Sequence, residues 1–88
     1  MKFVNFYPHE MGDVQRITVD EHAGYQTEDA YGLIDSMARG CVASCPVDGL
    51  VEALRDGALL SDLGETYGQR WVDAMADEIT VAIEGVTA

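Results

Sequence analysis

Six carboxylates in the C-terminal half recur at helical spacing. Asp48, Glu52 and Asp56 stand at i, i+4 and i+8, Asp73 and Asp77 stand at i and i+4, and Glu84 follows two turns later. On a helix each step of four advances about 6 Å along the axis. Like charges so placed cost a few tenths of a kcal/mol per pair. Tolerating several such pairs points to a use for the field. Two acidic rails at this spacing imitate a phosphate backbone and suit a surface built for nucleic acid. A solvated face, or the acidic, lysine-poor surface of a halophilic protein, is the plainer account of the same residues.

A second constellation is sulfur and imidazole. Cys41 and Cys45 lie four residues apart, and His9 and His22 complete the inventory of a Cys2His2 zinc site. Zinc signatures place paired cysteines on a turn or knuckle, whereas these two continue an apolar helical stripe through Leu33, Ile34 and Met37. Core packing is therefore the primary reading and a zinc-binding or redox protein the alternative. His9 beside Glu10 and His22 beside Glu21 have the composition of a general-base pair, but both read as loop residues. The acidic neighbours Asp20-Glu21, Glu28-Asp29 and Asp77-Glu78 point apart on a strand or helix and make no catalytic dyad. No glycine-rich phosphate cradle is present. The chain is read as a non-enzyme without a cofactor.

The net charge decides the class of partner. Sixteen acids against five bases give −11 over 88 residues, and Lys2 is the single lysine. Residues 47–88 hold nine acids against Arg55 and Arg70, a balance of −7. Such a chain repels nucleic acid and anionic membrane and attracts basic protein surfaces. The hydrophobic fraction of 48% is that of a folded globular protein, and the length fits one domain, 1–88, with one modest core. No signal-peptide core or membrane span is visible, so a cytoplasmic, reducing setting is expected, where two cysteines make no disulfide framework.

The elements that must hold these residues are predicted as follows. Lys2–Tyr7 is a strand ended by Pro8, residues 8–13 are a turn, and Val14–Glu21 is a second strand. Thr27 caps a helix whose stripe runs from Ala30 through Leu33, Ile34, Met37, Ala38, Cys41 and Cys45, closed by Pro46. Val47, Leu50, Val51 and Leu54 mark a short second helix stopped at Gly57. A capping box at Thr66–Gln69 opens a third, which buries Trp71, Met75, Ile79, Ala82, Ile83 and Val86; Leu63 and Tyr67 extend its stripe back toward Ser61, with Gly64 and Gly68 as weak spots. The expected fold is α+β, an N-terminal β-hairpin packed by three helices in the order β-β-α-α-α.

Four tyrosines exceed what so small a core must bury. Tyr7 and Tyr25 join the acidic residues as candidate partner contacts. Because a hairpin edge is a pairing template, Lys2–Tyr7 is expected to pair with a second copy in a homodimer. In size, acidity and lack of a catalytic motif the chain resembles the small inhibitors that phages and other mobile elements encode, among them anti-CRISPR and anti-restriction proteins. The resemblance implies a protein-binding module that blocks a basic, nucleic-acid-binding surface in the host cytoplasm.

Overall fold

The computed structural model describes residues 1–10 and 14–87, excepting the side chains of residues 9, 10, 14 and 87. The turn residues 11–13 and the imidazole of His9 thus lie outside the described residues. Two strands open the chain, β1 (Phe3–Glu10) and β2 (Val14–Asp20), paired antiparallel with Val4 opposite Val19 and Phe6 opposite Ile17. Pro8 does not end β1. The register shifts between Tyr7 and Glu10, and such an irregularity accommodates a residue with no N–H to donate.

Helix α1 (Ala30–Ala38) follows directly on the connection after β2, residues 21–29. Its cap is Asp29, whose carboxylate accepts from the Gly32 N–H at 2.8 Å, and not Thr27, which bridges to Ser44 instead. The helix does not continue to Cys45. Gly40 takes a left-handed φ of 68°, and Ala43–Pro46 then form a third strand, β3, antiparallel to β1. A spacing of four satisfies a strand's period of two as well as a helix's period of 3.6, so the stripe was ambiguous from Met37 onward. The strand wins because it satisfies the second edge of β1: Val4 faces Cys45 and Phe6 faces Ala43. The sheet order is β2-β1-β3, so the β1 edge expected to meet a second copy is already occupied.

Three helices follow: α2 (Leu50–Ala53), α3 (Gly57–Tyr67) and α4 (Gln69–Thr87). Gly57 opens α3 instead of stopping its predecessor, because Asp56 accepts from the Ala58 N–H at 3.0 Å and caps it. Thr66 lies within α3, so no capping box forms there. The break falls at Gly68, with φ 98° and ψ 125°. The architecture is therefore α+β with the order β-β-α-β-α-α-α.

The helices cover one face of the sheet. Val4, Phe6, Ala43 and Cys45 pack there against Leu33, Ile34 and Met37 of α1, Leu63 of α3 and Val72, Met75, Ala76, Ile79 and Ile83 of α4. Ala82 is half-buried and Val86 is 44% exposed, so the inner stripe of α4 is rotated toward Val72 and Ala76 relative to expectation. On the opposite face the connection after β2 folds back across the sheet. Asn5, 1% exposed, pins it with both ends of its amide. The Nδ2 donates to Asp20 Oδ2 and to the His22 carbonyl, each at 3.0 Å, while Oδ1 accepts from the Gly24 N–H at 2.9 Å and from Ser44 Oγ at 2.6 Å. Ser44 Oγ in turn accepts from the Tyr25 N–H at 3.0 Å. A buried amide with all its hydrogen-bonding capacity used fixes one path for the connection.

Candidate functional site

The two rails fare differently. Asp73, Asp77 and Glu84 are all exposed on the outer face of α4, opposite the buried Val72, Met75, Ala76, Ile79 and Ile83. Nineteen residues of continuous helix keep them on one side. Asp73 accepts from Gln69 Nε2 at 3.0 Å, one turn earlier, and this orients its carboxylate along the helix.

The rail Asp48, Glu52, Asp56 does not exist as a helical row. Helix α2 is only four residues long, Asp48 lies in the turn before it, and Asp56 lies beyond its end as the cap of α3. Glu52 alone of the three is on α2. All three are exposed, but they belong to three different local structures.

Between Asp77 and Glu84 stands Val81, 67% exposed, an apolar side chain in the middle of the acidic face. It borders a groove of about 440 Å³ between α4 and β2, lined by Gln15 and Ile17 from the strand and by Asp77, Glu78, Val81 and Ala82 from the helix. The groove is therefore lined by three apolar side chains, Ile17, Val81 and Ala82, and by two carboxylates of α4. Sequence reasoning missed Glu78 and Val81. Val81 was detectable as the one apolar residue at rail spacing, four after Asp77 and three before Glu84.

A second cavity, about 460 Å³, lies beside β3 and is lined in part by Glu28, Asp29, Cys45 and Asp48. Two of its carboxylates already serve the fold. Glu28 accepts from Ser36 Oγ at 2.9 Å, and Asp29 caps α1. Burial, followed by the charges of Asp29 and Glu28, pushes the Cys45 thiol up to about 11, so it stays protonated at neutral pH. Cys41 is exposed on the loop before β3. The two sulfurs therefore do not face one way from a single helix, and His22 is exposed in the connection after β2. Among the described residues no three His, Cys, Asp or Glu side chains are grouped to hold a metal ion. The helical pairing on which the zinc or redox reading rests is corrected by the strand.

Of the aromatic candidates, Tyr25 is 61% exposed, with its backbone N–H fixed by Ser44. Tyr7 is half-buried. Its ring carries the Arg16 guanidinium 5.3 Å from its centroid, and its hydroxyl end packs against Gly24, where a Cβ would collide with it. Tyr7 is thus a brace for the connection, and Tyr25 is the aromatic open to a partner. Tyr67 donates its hydroxyl proton to Asp35, and that bond raises its pKa. That hydrogen bond ties α3 to α1, and Asp35 also pairs locally with Arg39, the C-cap of α1, at 3.0 Å.

Among the described residues no helix is long and apolar enough to cross a membrane. No protein-family model matches this sequence, no curated protein matches it, and no solved structure matches it.

Proposed function

We propose that this chain is a small acidic protein-binding module whose α4 face occupies a basic surface on its partner, of the kind that elsewhere holds nucleic-acid phosphates. The observation that carries the reading is the exposure of Asp73, Asp77 and Glu84 along one side of a 19-residue helix, in a region of −7 charge. Rigid placement matters. Carboxylates fixed on a helix present a field of constant shape, whereas the same charges on loops average it out. The broken α2 rail narrows the contact to α4, with Tyr25 as a separate aromatic contact. An inhibitor encoded by a phage or other mobile element, of the anti-CRISPR or anti-restriction type, suits this size and charge.

Competition tests the reading. The immobilised chain is used to capture its partner from the native host, and duplex DNA is then added in excess. A partner bound through its phosphate-binding surface elutes with DNA and with salt. A partner retained through both treatments contradicts the proposal.

A further inference from the structure

The two outer edges of the sheet are not treated alike. The β3 edge is covered by the chain itself, since Thr27 bridges to Ser44 and the Glu28 N–H donates to the Ser44 carbonyl at 2.8 Å. The β2 edge has no strand partner among the described residues. An outer antiparallel strand turns the N–H and C=O of alternate residues away from its neighbour, which makes it a template for another strand. Natural edges are usually blunted by charged side chains, lysine above all, or by proline; Val14–Asp20 contains no lysine or proline, and its one basic residue, Arg16, is drawn over the Tyr7 ring. The groove is lined from this strand by Gln15 and Ile17 and from α4 by the apolar Val81 and Ala82 and the carboxylates of Asp77 and Glu78.

From the open edge, the groove and its charge we infer that β2 receives an extended, basic segment of a partner protein as a fourth strand along its outer edge, beside the groove that α4 borders. This rests on the protein-binding reading above and names the partner's chemistry. The dimensions agree. Alternate side chains of a strand are about 6.6–6.8 Å apart, and Asp77 and Val81 are one helical step of about 6 Å apart. For a segment laid along α4, an apolar side chain directed at Ile17 and Val81 thus places a lysine or arginine two residues away beside Asp77. Main-chain pairing supplies affinity and the alternate side chains supply selectivity. Charge decides against a second copy as occupant, because it would bring a further −11 to an acidic groove.

The test uses the full chain, labelled with ¹⁵N, and a capped peptide of about eight alternating lysines and valines. Its control is the same peptide methylated on every backbone nitrogen, which keeps the charge and removes the donors. The inference predicts amide shifts along Val14–Asp20 and across Asp77–Ala82, and binding at least about tenfold weaker for the methylated peptide. Asp77→Asn with Glu78→Gln weakens binding about tenfold. Val81→Asp also weakens it, although it adds negative charge. Equal binding of both peptides, with shifts confined to the outer face of α4, overturns strand addition and leaves the acidic-face reading standing. Tighter binding by Val81→Asp overturns it likewise, because bulk charge is then sufficient. Concentration-dependent shifts of β2 without peptide overturn it in favour of a second copy. The reading that the α4 face occupies a phosphate-binding surface fails separately, in the DNA competition.

Discussion

Asn5→Ala is the most informative single change to the fold, because it removes one side chain that joins three segments. The amide bonds to Asp20, His22, Gly24 and Ser44. Ser44 is fully buried, so its lost bond costs about 1–2 kcal/mol, whereas the other three partners are exposed enough for water to replace the amide at about 0.5–1 kcal/mol each. The sum is about 2.5–5 kcal/mol, against about 4–13 kcal/mol for a domain of this length. Urea unfolding followed by circular dichroism should show that loss, with a melting temperature lower by about 10 °C or more. Hydrogen exchange at the Gly24 and Tyr25 amides should accelerate more than exchange in α4. Asn5→Asp separates polarity from packing. It keeps the acceptor for Gly24 and Ser44 but sets an oxygen against Asp20 Oδ2 and the His22 carbonyl. At neutral pH it is expected to be less stable than Asn5→Ala. Its buried carboxyl has a raised folded pKa, so the deficit relative to Asn5→Ala shrinks as pH falls through that value. A loss below about 1 kcal/mol for Asn5→Ala, with unchanged exchange at Gly24, refutes the assigned role.

Three further outcomes follow from local geometry. Gly68→Ala places a Cβ at φ 98° and ψ 125°, and should cost about 1–3 kcal/mol in urea unfolding; a neutral result means that α3 and α4 do not need this break. The Thr18 hydroxyl and then the Asn5 amide hold the Asp20 carboxyl below its ordinary value. The stability it contributes is therefore present above the unfolded carboxylate range near pH 4 and is lost as pH falls through the folded value, so Asp20→Asn should flatten the acid limb of stability against pH. With its pKa near 11, Cys45 should react with a disulfide reagent at pH 8 only on unfolding, while exposed Cys41 reacts at once; two fast thiols contradict the burial of β3.

Legibility in the sequence depended on which physical rule had no competitor. Ile17 and Val19 alternate with polar neighbours, and β2 forms where that alternation places it. Leu33, Ile34 and Met37 can only be one helical face, and α1 buries all three. Cys41 and Cys45 admit two periods, and only the need to satisfy the second edge of β1 decides between them. The even spacing of Asp48, Glu52 and Asp56 suggested a row, but Gly49 before α2 and the capping role of Asp56 divide it. A cap and a rail use the same residue type, and the spacing alone does not distinguish them. Asn5 is a polar residue within an otherwise apolar run, Phe3–Tyr7. Its partners are 15 to 39 residues away, and no local pattern announces them. The α4 face was readable because a long amphipathic helix leaves little freedom about which side is wet.

The central claim is that carboxylates of the α4 face, and not bulk acidity, hold the partner. It is tested most directly by measuring partner affinity for two triple variants of equal charge. One carries Asp73→Asn, Asp77→Asn and Glu84→Gln. The other carries Glu21→Gln, Asp62→Asn and Glu65→Gln, three exposed carboxylates outside α4. Both should fold, and the first should be no less stable than the parent, because removing the Asp73–Asp77 repulsion is worth a few tenths of a kcal/mol. The account predicts that the first set weakens binding at least about tenfold and lessens its salt dependence, while the second set leaves affinity within about twofold. Equal loss from the two sets contradicts it, since the field of the whole chain would then suffice.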